Sequence, residues 1–337
     1  MTDQLSVAPK QLALLMFASL LTDAFIQPFG RQSSVPSAQM GILSAAIQMV
    51  GFAVVFWLFM KKFNNVLETK WGCGALAAVL LLSATLEIIQ GERFYSYVMD
   101  ADLPVASFLV IMFFAVFYGV YSGMDALSRT AAIILALTGI SIGFLLISIL
   151  PQLRFVNLQP AALKVAPLLD TLKQQIYFPP ELFVWAYLLK QSDQKKKNNR
   201  SQLVFCWLFT ASSLFYLLGE MTLGRAYQNQ EQPLFTIARL GGISVFRRLD
   251  ALHVSVWLLL FLIKITLYFS MIAMLLKKIW PALEKHVPYY LAAAGALVLF
   301  LLTWSQVENT AYMVQQGMLL FLGIIMLLPI HKKETFK

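Results

Sequence analysis

Five ionisable residues stand in stretches of chain that are otherwise apolar: Asp23, Glu87, Glu181, Glu220 and Lys264. A charged side chain in hydrocarbon costs roughly 3 kcal/mol on insertion scales, so such groups face a protein interior and mark ligand or ion paths. Two of them sit at breaks. Thr22 and Asp23 interrupt the first apolar run about twelve residues, or ~18 Å, from its start, near the middle of a ~30 Å hydrocarbon layer. Phe178, Pro179, Pro180 and Glu181 interrupt another, because proline removes an amide donor and disfavours helix in the residue before it. An unwound stretch at the midplane offers free amides and carbonyls to a ligand's carboxylate and ammonium. The candidate ligand-binding residues are therefore Thr22, Asp23, Ala24 and Phe25 together with Phe178, Pro179, Pro180 and Glu181. The bland alternative is that the prolines only kink a helix while Asp23 and Glu181 face water.

Glu87, Glu220 and Lys264 read as coupling or structural charges directed into the bundle. The Lys264 ammonium can take the place of a coupling cation, or it can snorkel to the interface on its long stem. Group-transfer and hydrolytic chemistry have no support, since there is no phosphate loop, nucleophile elbow or metal-ligand spacing. His253, His286 and His331 are scattered, and Cys73 and Cys206 lie at or inside apolar runs, where they read as packing residues. No enzyme activity, metal or cofactor is expected.

The elements that must position these groups follow from composition. Of 337 residues 59% are apolar and 13% charged, and the mean hydropathy is +0.71, which places the side chains in lipid. The net charge of +9 is spread beside apolar runs and not along one polar face, so it orients the chain in a membrane and does not point to nucleic acid. Spans are expected at 11–29, 38–60, 75–90 with an amphipathic extension to 99, 105–121, 131–150, 176–189, 203–223, 246–276, 287–304 and 314–329. With both termini cytoplasmic, sixteen basic residues fall inside and nine outside, with Lys264 within a span, as the positive-inside rule requires. The polar start lacks a cleavable leader pattern, so the first apolar run is expected to be retained.

Amphipathic interface helices are expected around 161–173 and 233–240, with Gly241 and Gly242 freeing the backbone to turn into the next span. The two broken spans are the first of each five-span half, about 11–150 and 160–330. The chain thus reads as one all-α polytopic membrane domain over 1–337, a LeuT-like 5+5 inverted repeat with helices one and six broken.

The stretch PLFTIARLGGISVFRRLDALHVSVWLLLFLIKITLYFSM, residues 233–271, resembles the most recognisable block of the B subunits of spore-germination nutrient receptors. Its matching positions are Pro233, Ala238, Arg239, Arg248, Leu249, Trp257 and Lys264. YSGMDALSRTAAI, with Gly123 and Arg129, and YFPPELFVWAYLL are similar to two further family segments. The resemblance implies the amino acid, polyamine and organocation transporter fold. It also implies a subunit of the spore inner membrane, or a bacterial cell membrane, that senses a small germinant, commonly an amino acid, beside A and C subunits.

Arg239, Arg247 and Arg248, beside Asp250, are the candidate partner contact, with interfacial anchoring in membrane lipid as the alternative. The family usually has a Gly-x-Gly break in span one, where this chain has Thr22, Asp23 and Ala24. Three functions follow from these readings: a ligand-sensing receptor subunit, an amino-acid/cation symporter, and an assembly subunit that binds no ligand.

Overall fold

The structure is a computed structural model and describes residues 7–26, 37–62, 69–98, 105–158, 165–175, 178–192, 203–230, 232–242, 250–281, 295 and 308–327. It is all-helical. In chain order the helices are α1 Pro9–Ile26, α2 Ala38–Lys62, α3 Lys70–Val98, α4 Val105–Ile149, α5 Val165–Gln175, α6 Glu181–Gln191, α7 Leu203–Leu223, α8 Pro233–Leu240, α9 Asp250–Ile279 and α10 Glu308–Leu327. Among the described residues, five stretches are long and apolar enough to cross a membrane, those of α2, α3, α4, α7 and α9. The expected span at 287–304 lies outside the described residues except for Gly295.

Burial sorts these helices into an inner and an outer set. α3 and α9 are buried over 72% and 78% of their spanning windows, whereas α2 and α4 are buried over 33% and 28%. A helix apolar all round is a central one, and one with an exposed apolar face meets lipid. Val50, Val54 and Trp57 of α2 and Ile111, Phe114, Ile133 and Ile140 of α4 form that lipid-facing surface. α9 packs against α1, α3 and α4, α2 packs against α7, and α10 lies on α3. Close approach is bought with glycine at Gly91, where an added Cβ would stand 2.6 Å from the Phe261 ring, and at Gly119, 2.7 Å from Thr266.

Several local expectations shift. α1 continues in helical conformation through Thr22 and Asp23, and the Thr22 hydroxyl donates to the Ala18 carbonyl at 3.1 Å. A hydroxyl that bonds one turn back is accommodated within a helix, so this polar pair does not break it. Residues 27–36 lie outside the described residues. Residues 122–130, expected as a connection, are helical too. The two arms of α4 meet at Gly123 alone, where φ is 85° and ψ 169°.

The short amphipathic helices form at Val165–Gln175 and Pro233–Leu240. Gly241, however, has φ −67°, a conformation any residue can adopt. Its need is for space, because a Cβ there would lie 2.5 Å from the Ser148 hydroxyl. α10 begins at Glu308, earlier than the expected start at Val314.

Gly123→Ala is expected to destabilise the protein by about 1–3 kcal/mol, since its backbone lies in a region open essentially to glycine alone. Nothing lies within 4 Å of a Cβ at that position, so Gly123→Ser should cost about as much as Gly123→Ala. Thermal unfolding of the detergent-purified variants checks this, and a loss that grows with side-chain size would show that the constraint is steric.

Candidate functional site

The two prolines do what their chemistry dictates. Phe178 and Pro179 are outside any helix, and α6 starts at Glu181 with Pro180 as its N-cap and no side-chain cap. The first turn closes on the proline carbonyls, with the Leu182 amide donating to Pro179 at 3.2 Å and the Phe183 amide to Pro180 at 3.1 Å. The Phe178 amide donates to Gln316 Oε1 of α10 at 3.0 Å. The break therefore sets Glu181 in the first turn of a helix, where a carboxylate meets the positive end of the helix dipole.

Four charged residues from four helices converge there. Lys264 of α9 is fully buried, and its Nζ lies 2.5 Å from Asp23 Oδ1 of α1, 3.0 Å from Glu87 Oε1 of α3 and 3.3 Å from Glu181 Oε1 of α6. Ser19 Oγ donates to Glu181 Oε1 at 3.0 Å, and Tyr268 OH donates to the same oxygen at 2.7 Å. Lys264 does not snorkel. Its ammonium is the hub on which Asp23 of α1, Glu87 of α3 and Glu181 at the start of α6 are arranged. Among the described residues no group of His, Cys, Asp or Glu is placed to hold a metal ion.

The remaining expected residues divide. Asp23 and Glu181 are brought together, and Glu87 and Lys264 join them. Thr22 is turned into its own helix. Ala24 is buried, and Phe25 stacks on His253 with centroids 5.2 Å apart and meets Phe215 edge-on at 5.5 Å. Phe25 and His253 line a cavity of about 10 Å³, the space of about one water. Phe178 packs elsewhere, against Phe52, Phe59 and Phe183.

Glu220 is not part of the cluster, since its Oε2 accepts the Ala38 amide at 2.7 Å and so satisfies the start of α2. Arg239 is exposed and lies 5.8 Å over the Phe235 ring, while Arg247 and Arg248 lie outside the described residues. Asp250 is buried in the first turn of α9.

Sequence reasoning missed Ser19 and Tyr268. Helical spacing carried the signal, because Ser19 stands four residues before Asp23 and Tyr268 four after Lys264, each on the same face as its charged neighbour. It also missed the consecutive glutamines of α10, of which Gln315 donates to Ser83 Oγ at 2.7 Å and Gln316 holds the break.

An all-helical bundle with apolar helices long enough to cross a membrane and a charged hub between four of its helices defines an integral membrane protein. The family model for spore germination protein matches residues 75–310, and the chain belongs to that family. Among solved structures, a nucleobase-cation-symport-1 family transporter, in a closed conformation with bromovinylhydantoin bound, is similar over 97% of this chain and 78% of its own. The TM-score is 0.59 at 13% identity, a likeness of fold alone, and that fold is LeuT-like. No curated protein matches the sequence.

Proposed function

We propose that this chain is the membrane-embedded, ligand-sensing B subunit of a spore-germination nutrient receptor. In this reading it binds a small germinant, an amino acid, between the end of α1 and the break before α6, and passes a conformational change to A and C subunits. The observation that supports it is the convergence of Asp23, Glu181 and Glu87 on Lys264. These groups tie together the helices whose relative movement a ligand would bias, and a signal requires that ligand and partner both prefer one of two conformations. A spore inner-membrane location, cytoplasmic termini and a partner contact through the Arg239 segment belong to the same reading.

The membership in a permease-like family and the buried charges also favour a second reading, a symporter that moves an amino acid with a cation. Deleting the A subunit separates the two. If the chain is a receptor subunit, its level falls and vesicles containing it alone accumulate no labelled amino acid. Robust gradient-driven uptake by the lone chain would overturn the receptor reading and establish the permease.

A further inference from the structure

Away from the charged hub, the end of α1, the second arm of α4, α7, α8 and the start of α9 surround the cavity of about 10 Å³ that Phe25 and His253 line. Its wall is apolar at Phe25, Leu145, Phe215 and Ala238, and it carries two polar side chains, Ser141 and His253. α8 is fixed as one side of it, because Gln152 Nε2 donates to the Leu240 carbonyl at 2.7 Å and ties that helix to the end of α4. A space of this size admits one water molecule and has no room for an amino acid.

The two polar side chains need what such a molecule supplies. His253 is 5% exposed, and among the described residues its Nε2 is buried without a hydrogen-bond partner. Phe25 stacks on one face of the imidazole with centroids 5.2 Å apart, which leaves hydrogen bonding to the ring edge. In a neutral imidazole Nε2 donates or accepts according to the tautomer, and in the cation it donates. A buried polar nitrogen is costly without a partner in each of these states. Ser141 is 8% exposed, and a hydroxyl both donates and accepts. Water does both as well, so it can serve Nε2 in either tautomer while it meets the Ser141 hydroxyl on its other side. Other occupants fit poorly. A charged molecule would find no Asp, Glu, Lys or Arg among the lining residues, and among the described residues no group of His, Cys, Asp or Glu is placed to hold a metal ion.

We propose that this cavity is a binding site for one water molecule, held between His253 Nε2 and the Ser141 hydroxyl. The water joins the first turn of α9 to the second arm of α4 beside Phe25, and it completes the polar contacts of a junction where five helices meet. Its place does not depend on whether the chain senses or transports a solute.

Solid-state nuclear magnetic resonance of the full chain in lipid vesicles, with its histidines isotopically labelled at nitrogen, tests this without germinant or partner subunits. The chain has three histidines, so His286→Gln/His331→Gln leaves the ring of His253 as the one observed. Magnetisation should pass from water protons to Nε2 of that ring. The transfer should fall in Ser141→Ala, which removes one of the two polar partners, and should be lost in Ala238→Val, which fills the cavity. No transfer in the parent chain, or transfer left unchanged by either substitution, overturns the proposal. Ser141→Ala removes a single oxygen, so if Ala238→Val does not fold, the parent and Ser141→Ala spectra decide the matter alone.

Discussion

Lys264→Met is expected to destabilise the folded bundle by about 3–5 kcal/mol, the cost of removing one partner from a buried ion pair. Methionine fills much of the same volume and is apolar, so insertion into the membrane should be retained and the loss should be one of packing and electrostatics. The Lys264 ammonium meets acidic groups from α1, α3 and α6, so its removal leaves the Asp23 carboxylate without its cation and frees three helices from a common tether. Asp23→Asn in the same chain should recover much of the stability, because the double variant removes both members of that pair. Thermal unfolding of the two single variants and the double measures the coupling directly. If Lys264→Met unfolds at the wild-type temperature, the lysine is a packing residue and the hub has no energetic weight.

The residues of this hub could be read from the sequence, though their mutual arrangement could not. Asp23, Glu87, Glu181 and Lys264 each announce themselves as charges in apolar runs, and the cost of an isolated charge says that each must find a partner. Which partner it finds depends on which helices are neighbours. For Glu220 the answer is the Ala38 amide at the start of α2, and nothing in its immediate sequence distinguishes it from Glu87.

Breaks were legible to the extent that backbone chemistry enforces them. Pro179 and Pro180 cannot continue a helix, and α6 does begin at Glu181. Thr22 and Asp23 only weaken helical preference, and a hydroxyl that satisfies itself on Ala18 lets α1 proceed. The stretch between Gly123 and Arg129 is the converse case. Polarity there suggested a loop, but Arg129 pairs with Asp125 one turn earlier, and such pairs support a helix surface.

Trp185→Ala is the second substitution with a large expected effect, about 3–5 kcal/mol, the range for removing a fully buried large aromatic. α6 has 11 residues, fewer than the ~12–15 that an isolated helix needs to persist in water. It cannot lean on a longer helix before it, because Phe178 and Pro179 are not helical. Its position must come from packing, and residues Leu182, Phe183, Val184 and Trp185 are all fully buried.

Trp185 stacks on Phe56 of α2 with centroids 4.3 Å apart and meets Phe205 of α7 at 5.7 Å. Among the described residues its indole Nε1 has no hydrogen-bond partner, so ring contact is what holds it. It also stands one turn after Glu181, so a loosened Trp185 lets the carboxylate leave Lys264 and Tyr268. Trp185→Phe keeps a ring against Phe56 and should retain much of the stability, whereas Trp185→Ala should lower the unfolding temperature. Should Trp185→Ala unfold like the wild type, the broken half-helix is held by its cluster contacts and not by its aromatic anchor.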